Sequence, residues 1–253
     1  DGIRDLVRSR GLGDVYKRQG LRLCVIPARG GSKRIPRKNI KSFCGQEIIG
    51  YSIKAALDSK CFDQVIVSTD DAEITEVAKS FGASVPFVRP AELANDYAVT
   101  LAVISHAVEW FDEKGQSPSE VCCLYATAPF VRAVTIKKAY DQMQLTQADY
   151  CFSTTSFAFP IQRAIKLTAK SRIEMFYPEY LEIRSQDLEE SYHDAGQFYW
   201  GKAEAFKQKK PFFSESASPY LLPRHLVQDV DTLEDWKRAE LMYQVLKISG
   251  ELD

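Results

Sequence analysis

Residues Ile26 to Asn39 read IPARGGSKRIPRKN, with two glycines, two prolines and five basic side chains in fourteen positions. They continue directly from the apolar run Leu23 to Ile26 (LCVI), sharing Ile26 with it. Backbone N–H groups of Gly30, Gly31 and Ser32 would be open to an oxyanion because no bulky side chain covers them. Arg29, Lys33, Arg34, Arg37 and Lys38 would neutralise its charge. A polyphosphate suits such a loop, although the pattern is neither GxxxxGK[ST] nor GxGxxG. The plain alternative is a basic surface loop.

A second group lies near the far end, in QDVDTLEDW (Gln228 to Trp236). Alternate residues of an extended chain point the same way, so Asp229 and Asp231 can face one hard cation such as Mg²⁺, with Mn²⁺ as a substitute. The plain reading of Asp231 is an N-cap for the helix that follows. Asp70 carries a similar ambiguity between a helix cap and a nucleotide contact. Lys38 has a solvated surface lysine as its plain reading, and Ala98 and Thr100 have local packing at a helix start. His106 reads as a packed or surface residue of an amphipathic helix.

Strands and helices must position these groups. Leu21–Ala28 reads as a buried strand, Ile48–Lys60 as a helix and Asp63–Asp70 as a second strand. Asp71–Gly82 opens on acidic residues and closes on glycine, both helix signals. Tyr97–Gly115 is a long amphipathic helix, Glu120–Pro129 a third strand, Val134–Gln147 a helix and Asp149–Ser156 a fourth strand. Residues Phe157 to Ser191 are irregular and aromatic. Gly196–Phe206 resumes strand then helix, and Leu221–Leu246 reads as a short strand followed by the last helix. The alternation implies right-handed βαβ units: an α/β, Rossmann-like, doubly wound and mostly parallel sheet with a small inserted dimerisation arm. Such sheets bind ligands at the carboxyl ends of their strands, where the basic loop lies. The expected division is 21–156 as nucleotide-binding core, 157–191 as arm, and 192–253 as the rest of the core. Residues 1–20 read as a non-native or disordered extension.

With 253 residues, 45% hydrophobic content and net charge −1, the chain can bury one sizeable core. It has no global charge to draw it to nucleic acid or an anionic membrane, so neither is an expected partner. Six cysteines without a CxxC pair read as buried, reduced thiols. No run has the length of a membrane-spanning helix and no apolar signal segment is visible, which points to the cytoplasm.

The segment ARGGSKRIPRKN after its strand resembles the signature of the CMP-sialic acid synthetase family of sugar-acid cytidylyltransferases. VSTDDAEI (Val67 to Ile74), RPAELA (Arg89 to Ala94) and QDVDTLEDW follow in that family's order. The resemblance spans nearly all of residues 21 to 246. FAFPIQRAIKL (Phe157 to Leu167), MFYPEY (Met175 to Tyr180) and RSQDLEESYHDAGQFYWG (Arg184 to Gly201) are most similar to the branch that uses pseudaminic acid, an acidic nine-carbon sugar.

The resemblance implies a CTP-dependent nucleotidyltransferase whose sugar hydroxyl attacks the α-phosphorus. It implies CTP contacts at Ala28, Arg29, Gly30, Gly31, Ser32, Lys33, Lys38 and Asn39, with Arg29 and Lys38 stabilising phosphate charge. Arg89, Ala98 and Thr100 would select cytosine. Asp229 and Asp231 would hold Mg²⁺ and count with Arg29 and Lys38 as catalytic. Tyr125, Arg163, Arg184, Gln186 and His193 would meet the sugar, and the arm would cross a homodimer interface. Tyr125 stands where sialic acid enzymes often carry glutamine, which favours a differently decorated sugar. Sialic, legionaminic or 3-deoxy-octulosonic acid is the near alternative. A DxD glycosyltransferase or a non-catalytic nucleotide sensor is the more distant one.

Overall fold

The computed structural model describes residues 20–95 and 98–252. The expected extension, apart from Gly20, and the proposed helix start at Tyr97 lie outside the described residues. Among the described residues there are ten strands and six α-helices. They are β1 (Leu21–Pro27), β2 (Ser42–Phe43), β3 (Gln46–Glu47), α1 (Ile48–Ser59), β4 (Gln64–Ser68), α2 (Ala72–Ser80), α3 (Thr100–Glu113) and β5 (Pro118–Leu124). Then come α4 (Ala133–Thr146), β6 (Tyr150–Ser156), β7 (Ile165–Leu167), β8 (Ile173–Met175), β9 (Tyr192–Lys202), α5 (Ala203–Lys207), β10 (Ala217–Leu221) and α6 (Leu233–Ile248).

The central sheet has the order β10-β6-β9-β5-β1-β4. All its pairs are parallel except those of β9, which runs antiparallel to both β5 and β6. The mostly parallel α/β architecture is therefore as expected. Its two faces follow from the alternation in each strand. Cys24 and Ile26 of β1 pack with α1, α2 and α4 through Ile49, Ile53, Ile74, Ala78 and Ile136. Leu23 and Val25 face the other way, onto Ile104, Ala107, Val108 and Phe111 of α3 and Phe206 of α5.

A third cluster joins Ile35 of the basic loop to Phe43, Ile48, Val230 and the α6 residues Trp236, Ala239, Tyr243 and Leu246. This cluster clamps the loop and the C-terminal helix against each other, although 200 residues of chain separate them.

Three readings are corrected. The short strand expected from Leu221 lies before it, in β10 over ASPYL, and a Pro223-led turn follows. β10 is an edge strand, where Pro219 need not donate to a ladder. The cap of α6 is Thr232 and not Asp231: Thr232 and Asp235 form a reciprocal capping box. The cap of α2 is Asp71 and not Asp70: the Asp71 side chain accepts from the Ile74 amide at 3.0 Å. In the irregular stretch 157–191, β7 and β8 pair as a small antiparallel hairpin whose residues are mostly exposed. The described cysteines are free, and all but the half-buried Cys44 are buried. No described helix is long and apolar enough to cross a membrane.

Candidate active site

The chain leaves β1 for β4 on one side and later returns to β5 on the other. The loops after β1 and β5 therefore diverge, and a crevice opens between them at the carboxyl ends of the strands. A cleft of about 230 Å³ lies there. Its walls include Arg29, Ser32, Lys33, Lys38 and Asn39 from the basic loop and its end, Arg89, Ala98 and Thr100 from the β4–α3 region, Tyr125 after β5, and Asp231. Eight residues expected to meet CTP thus share one cavity with one residue expected to meet sugar and one expected to bind metal. Ala28, Gly30, Gly31 and Asp229 do not line this cavity. Ala28 is fully buried in the core beside β4.

The loop is held from outside the cleft. Arg37, in the left-handed conformation at φ 56°, turns away from the cavity. Its guanidinium makes a two-pronged pair with Asp71, at 2.5 and 2.9 Å, and also reaches Glu73. This geometry corrects the reading of Arg37 as part of the cationic cradle. The Gly30 amide donates to Asp70 at 3.0 Å, so that amide already has a carboxylate partner. The Asn39 side-chain amide donates to the Arg29 carbonyl at 3.0 Å and ties the loop's ends together. Gly30 is required for close approach: a Cβ there would stand 2.6 Å from the Asp71 carboxylate. A Cβ on Gly31 would meet nothing within 4 Å. Gly30→Ala is therefore expected to lower the melting temperature, by displacing a helix cap worth about 1 kcal/mol. Gly31→Ala should leave it nearly unchanged. Parallel thermal melts check both.

The Arg37 hydrogen bond, with the Ile74 amide helping, holds the Asp71 carboxyl down at about 2 against an ordinary 3.8. A depressed folded-state pKa contributes stability that is fully present above about pH 4 and is lost as pH falls toward 2. The melting temperature of the native chain should therefore exceed that of Asp71→Asn at neutral pH. The gap should close between pH 4 and 2, as followed by circular dichroism.

Arg89 is 4% exposed. Its Nε donates to the Ser68 hydroxyl at 3.1 Å, one terminal nitrogen to the Ser68 carbonyl, and the other to the Leu93 carbonyl at 3.5 Å. Burial pulls its pKa down to about 10, with Asp70 opposing, so it stays charged at neutral pH. Lys38 is no solvated surface lysine: its Nζ donates to the Val230 carbonyl at 2.7 Å and sits 3.4 Å from Asp231. Asp231 also pairs with Arg34 at 2.9 Å. Asp229 keeps solvent contact, yet the protein around it displaces enough water to push its carboxyl up. The negative charge of Asp231 adds to that push and Lys38 opposes it.

Among the described residues no group of three or more His, Cys, Asp or Glu side chains converges as a metal cage. Asp229 and Asp231, the pair expected to hold a metal, would offer two carboxylates, one of them in an unfavourable negative surrounding. That suits Mg²⁺, which takes one or two carboxylates and completes its shell with phosphate oxygens and water.

Tyr125 is held by Thr100, their hydroxyls 3.0 Å apart. His193 is exposed, its Nδ1 lying 2.8 Å from the Asp194 carbonyl and its ring against Phe157. Arg163, Arg184, Gln186 and His193, all expected to meet the sugar, do not line this cleft. Arg163 gathers the Leu181 and Ile183 carbonyls, Arg184 pairs with Asp187 at 2.7 Å, and Gln186 is exposed. His106 lies on α3, its ring packed 4.9 Å from Phe87. Sequence reasoning missed the Asp70 and Arg37 contacts, and the pairing of Tyr199 with Asp194 beneath Tyr125. VSTDD contains Asp70 and Asp71, but nothing in it indicates partners 40 and 34 positions away. HDAGQFYW contains both Asp194 and Tyr199, but the turn at Gly196 that brings them together is not visible in its alternation.

The cytidylyltransferase family model matches residues 23–232, most of the chain. The chain belongs to the cytidylyltransferase family. This cytidylyltransferase is 47% identical over 223 residues to the pseudaminic acid cytidylyltransferase of Campylobacter jejuni serotype O:2, covering 88% of this chain and 96% of that one. It is 32% identical over 231 residues to the CMP-N,N'-diacetyllegionaminic acid synthase of Legionella pneumophila, with the same two shares. Among solved structures, it superposes on a CMP-2-keto-3-deoxy-manno-octonic acid synthetase complexed with CTP. The TM-score is 0.65 at 16% identity, covering 90% of this chain and all of the other, a likeness of fold.

Proposed function

We propose that this enzyme joins CTP and pseudaminic acid to give CMP-pseudaminic acid and pyrophosphate. The anomeric hydroxyl oxygen of the sugar forms a bond to the α-phosphorus and gives up its proton to solvent, the bond from that phosphorus to the bridging oxygen breaks, and pyrophosphate leaves. The observation that carries the reading is the single cleft in which loop cations, Arg89, Thr100, Tyr125 and Asp231 converge. The 47% identity to a pseudaminic acid enzyme favours that sugar over its relatives.

Arg29, Ser32 and Lys33 cradle the triphosphate. Lys38 neutralises charge as it develops, which is worth most in a crevice shielded from water. Arg89, Ala98 and Thr100 select the base, an arginine being a fitting donor to the cytosine carbonyl. Asp229 and Asp231 hold Mg²⁺. When bound, that ion supplies charge neutralisation on phosphate oxygens. The reaction takes place in the cytoplasm, where CTP is made.

The segment 157–191 is proposed as an arm that pairs with a second copy. Its support is an apolar surface with no cover in one chain: Phe159, Leu167, Ile173, Phe176 and Leu181 are each more than half exposed. Arg163, Arg184, Gln186 and His193 would then meet sugar in the partner's cleft. Sedimentation should give a dimer. Leu167→Glu with Ile173→Glu should give a monomer whose sugar turnover is lost and whose CTP binding persists. A fully active monomer of the native chain contradicts the arm.

A further inference from the structure

Arg34 lines the cleft beside Arg29, Ser32 and Lys33, yet its guanidinium lies on a carboxylate. It pairs at 2.9 Å with Asp231, which lines the same cleft from the segment before α6. The backbones on both sides of this pair are fixed. The neighbours Ile35 and Val230 are 1% and 0% exposed and belong to one apolar cluster. A change of partner is therefore left to the side chains. Packing does not lock these: the Arg34 side chain is 67% exposed and that of Asp231 38%.

The Oδ1 oxygen of Asp231 takes two cations, Arg34 at 2.9 Å and the Lys38 ammonium at 3.4 Å. Their holds differ in kind. Lys38 has a second anchor in the Val230 carbonyl at 2.7 Å, which keeps it in place whatever Asp231 binds. Among the described residues the ion-pair partner of Arg34 is Asp231. A triphosphate in this cleft would be a second and stronger claimant, since a guanidinium meets phosphate oxygens through two parallel hydrogen bonds and phosphate carries more charge than a carboxylate. A guanidinium seated on Asp231 also opposes a divalent cation there, because like charges on one carboxylate repel.

We propose that Arg34 is a positioning residue with two seats: on Asp231 it weakens the hold of that carboxylate on a divalent cation, and on the triphosphate it leaves Asp231 open. This rests on the proposed CTP and Mg²⁺ reading and adds an order to it. The enzyme takes its metal together with the nucleotide, and a divalent cation without CTP binds poorly. The shift needs no hinge or lid, only a difference in the affinity of one side chain for two anions.

Two equilibrium measurements without sugar test this. The first is Mn²⁺ binding without nucleotide, read from the electron paramagnetic resonance signal of unbound Mn²⁺. Arg34→Gln should bind Mn²⁺ about three- to fivefold more tightly than the native chain at low salt, the scale of an exposed ion pair. Added KCl should narrow the difference. The second is calorimetric binding of CTP in EDTA by the native chain, Arg34→Gln, Asp231→Asn and the double variant. Losing Asp231 removes a negative charge and should tighten CTP binding in either background. The gain should be about threefold larger where Arg34 is present, since that side chain is then free to move onto phosphate. A general effect of charge would give the same factor in both. Should Asp231→Asn fail to fold, the Mn²⁺ comparison, which leaves Asp231 in place, carries the test. Native or weaker Mn²⁺ binding by folded Arg34→Gln overturns the proposal, as do equal factors in the CTP cycle. A native chain that binds no CTP even with Mg²⁺ would contradict the reading beneath it instead, so the two failures are told apart.

Discussion

Replacing Lys38 with methionine is expected to lower kcat by roughly 10²–10³-fold, the usual cost of losing one preorganised charge that serves the transition state. Methionine keeps the length and apolar stem of lysine, so the packing along the cleft wall survives. What disappears is an ammonium fixed by the Val230 carbonyl at 2.7 Å and by Asp231 at 3.4 Å. Because those partners hold Lys38 in place before substrate arrives, the native enzyme spends little entropy in aiming it. The loss should therefore fall mainly on kcat, with the CTP KM changing less, since charge builds up on the phosphates in the transition state. The melting temperature should drop by only a few degrees, from one lost hydrogen bond of about 1 kcal/mol. Pyrophosphate release at saturating CTP and sugar checks this. A fall of less than about threefold in a folded variant removes Lys38 from the chemistry.

The second large effect concerns the acidic pair. Asp231→Asn should lower kcat by about 10²–10³-fold, and raising Mg²⁺ or substituting Mn²⁺ should recover part of it, because the remaining carboxylate still offers one ligand. Asp229→Asn should cost similar activity with the opposite effect on stability. In the native chain the carboxylate of Asp229 is disfavoured by the protein around it and by Asp231. A neutral amide in that place removes the repulsion, so without metal the variant should melt at or above the native temperature. Activity lost while stability is kept or gained is the signature of groups placed for function. Loss of both together would mark Asp229 as a structural residue. Unchanged activity in both variants would remove the pair from the site.

How far the sequence could be read depended on the range of the interaction. β1 and its loop were legible because an apolar run ends in a motif whose glycines and cations have a local meaning. The strand and helix alternation was legible through periodicity, to within a few residues at each end. The direction of β9 was not, since an antiparallel strand and a parallel one share the same alternation. Its direction depends on where the chain re-enters the sheet after residues 157–191. β10 was misplaced because Pro219 argues against a strand except at an edge, and edge position is a property of the whole sheet. The site was legible as a set of residues, most of which line one cleft. Its internal bonds were not. Arg37 reads as one more cation of the loop until Asp71 is brought beside it by the β1–β4 pairing. Tyr199 reads as a core aromatic until the β9 turn at Gly196 presents Asp194 to it.

The most direct test of the central claim is pyrophosphate release by the purified chain with CTP, Mg²⁺ and either pseudaminic acid or N-acetylneuraminic acid. Release with pseudaminic acid, and little or none with N-acetylneuraminic acid, is the predicted result. Release with N-acetylneuraminic acid alone would contradict the sugar assignment, and release with neither in a folded, CTP-binding protein would contradict the proposed reaction.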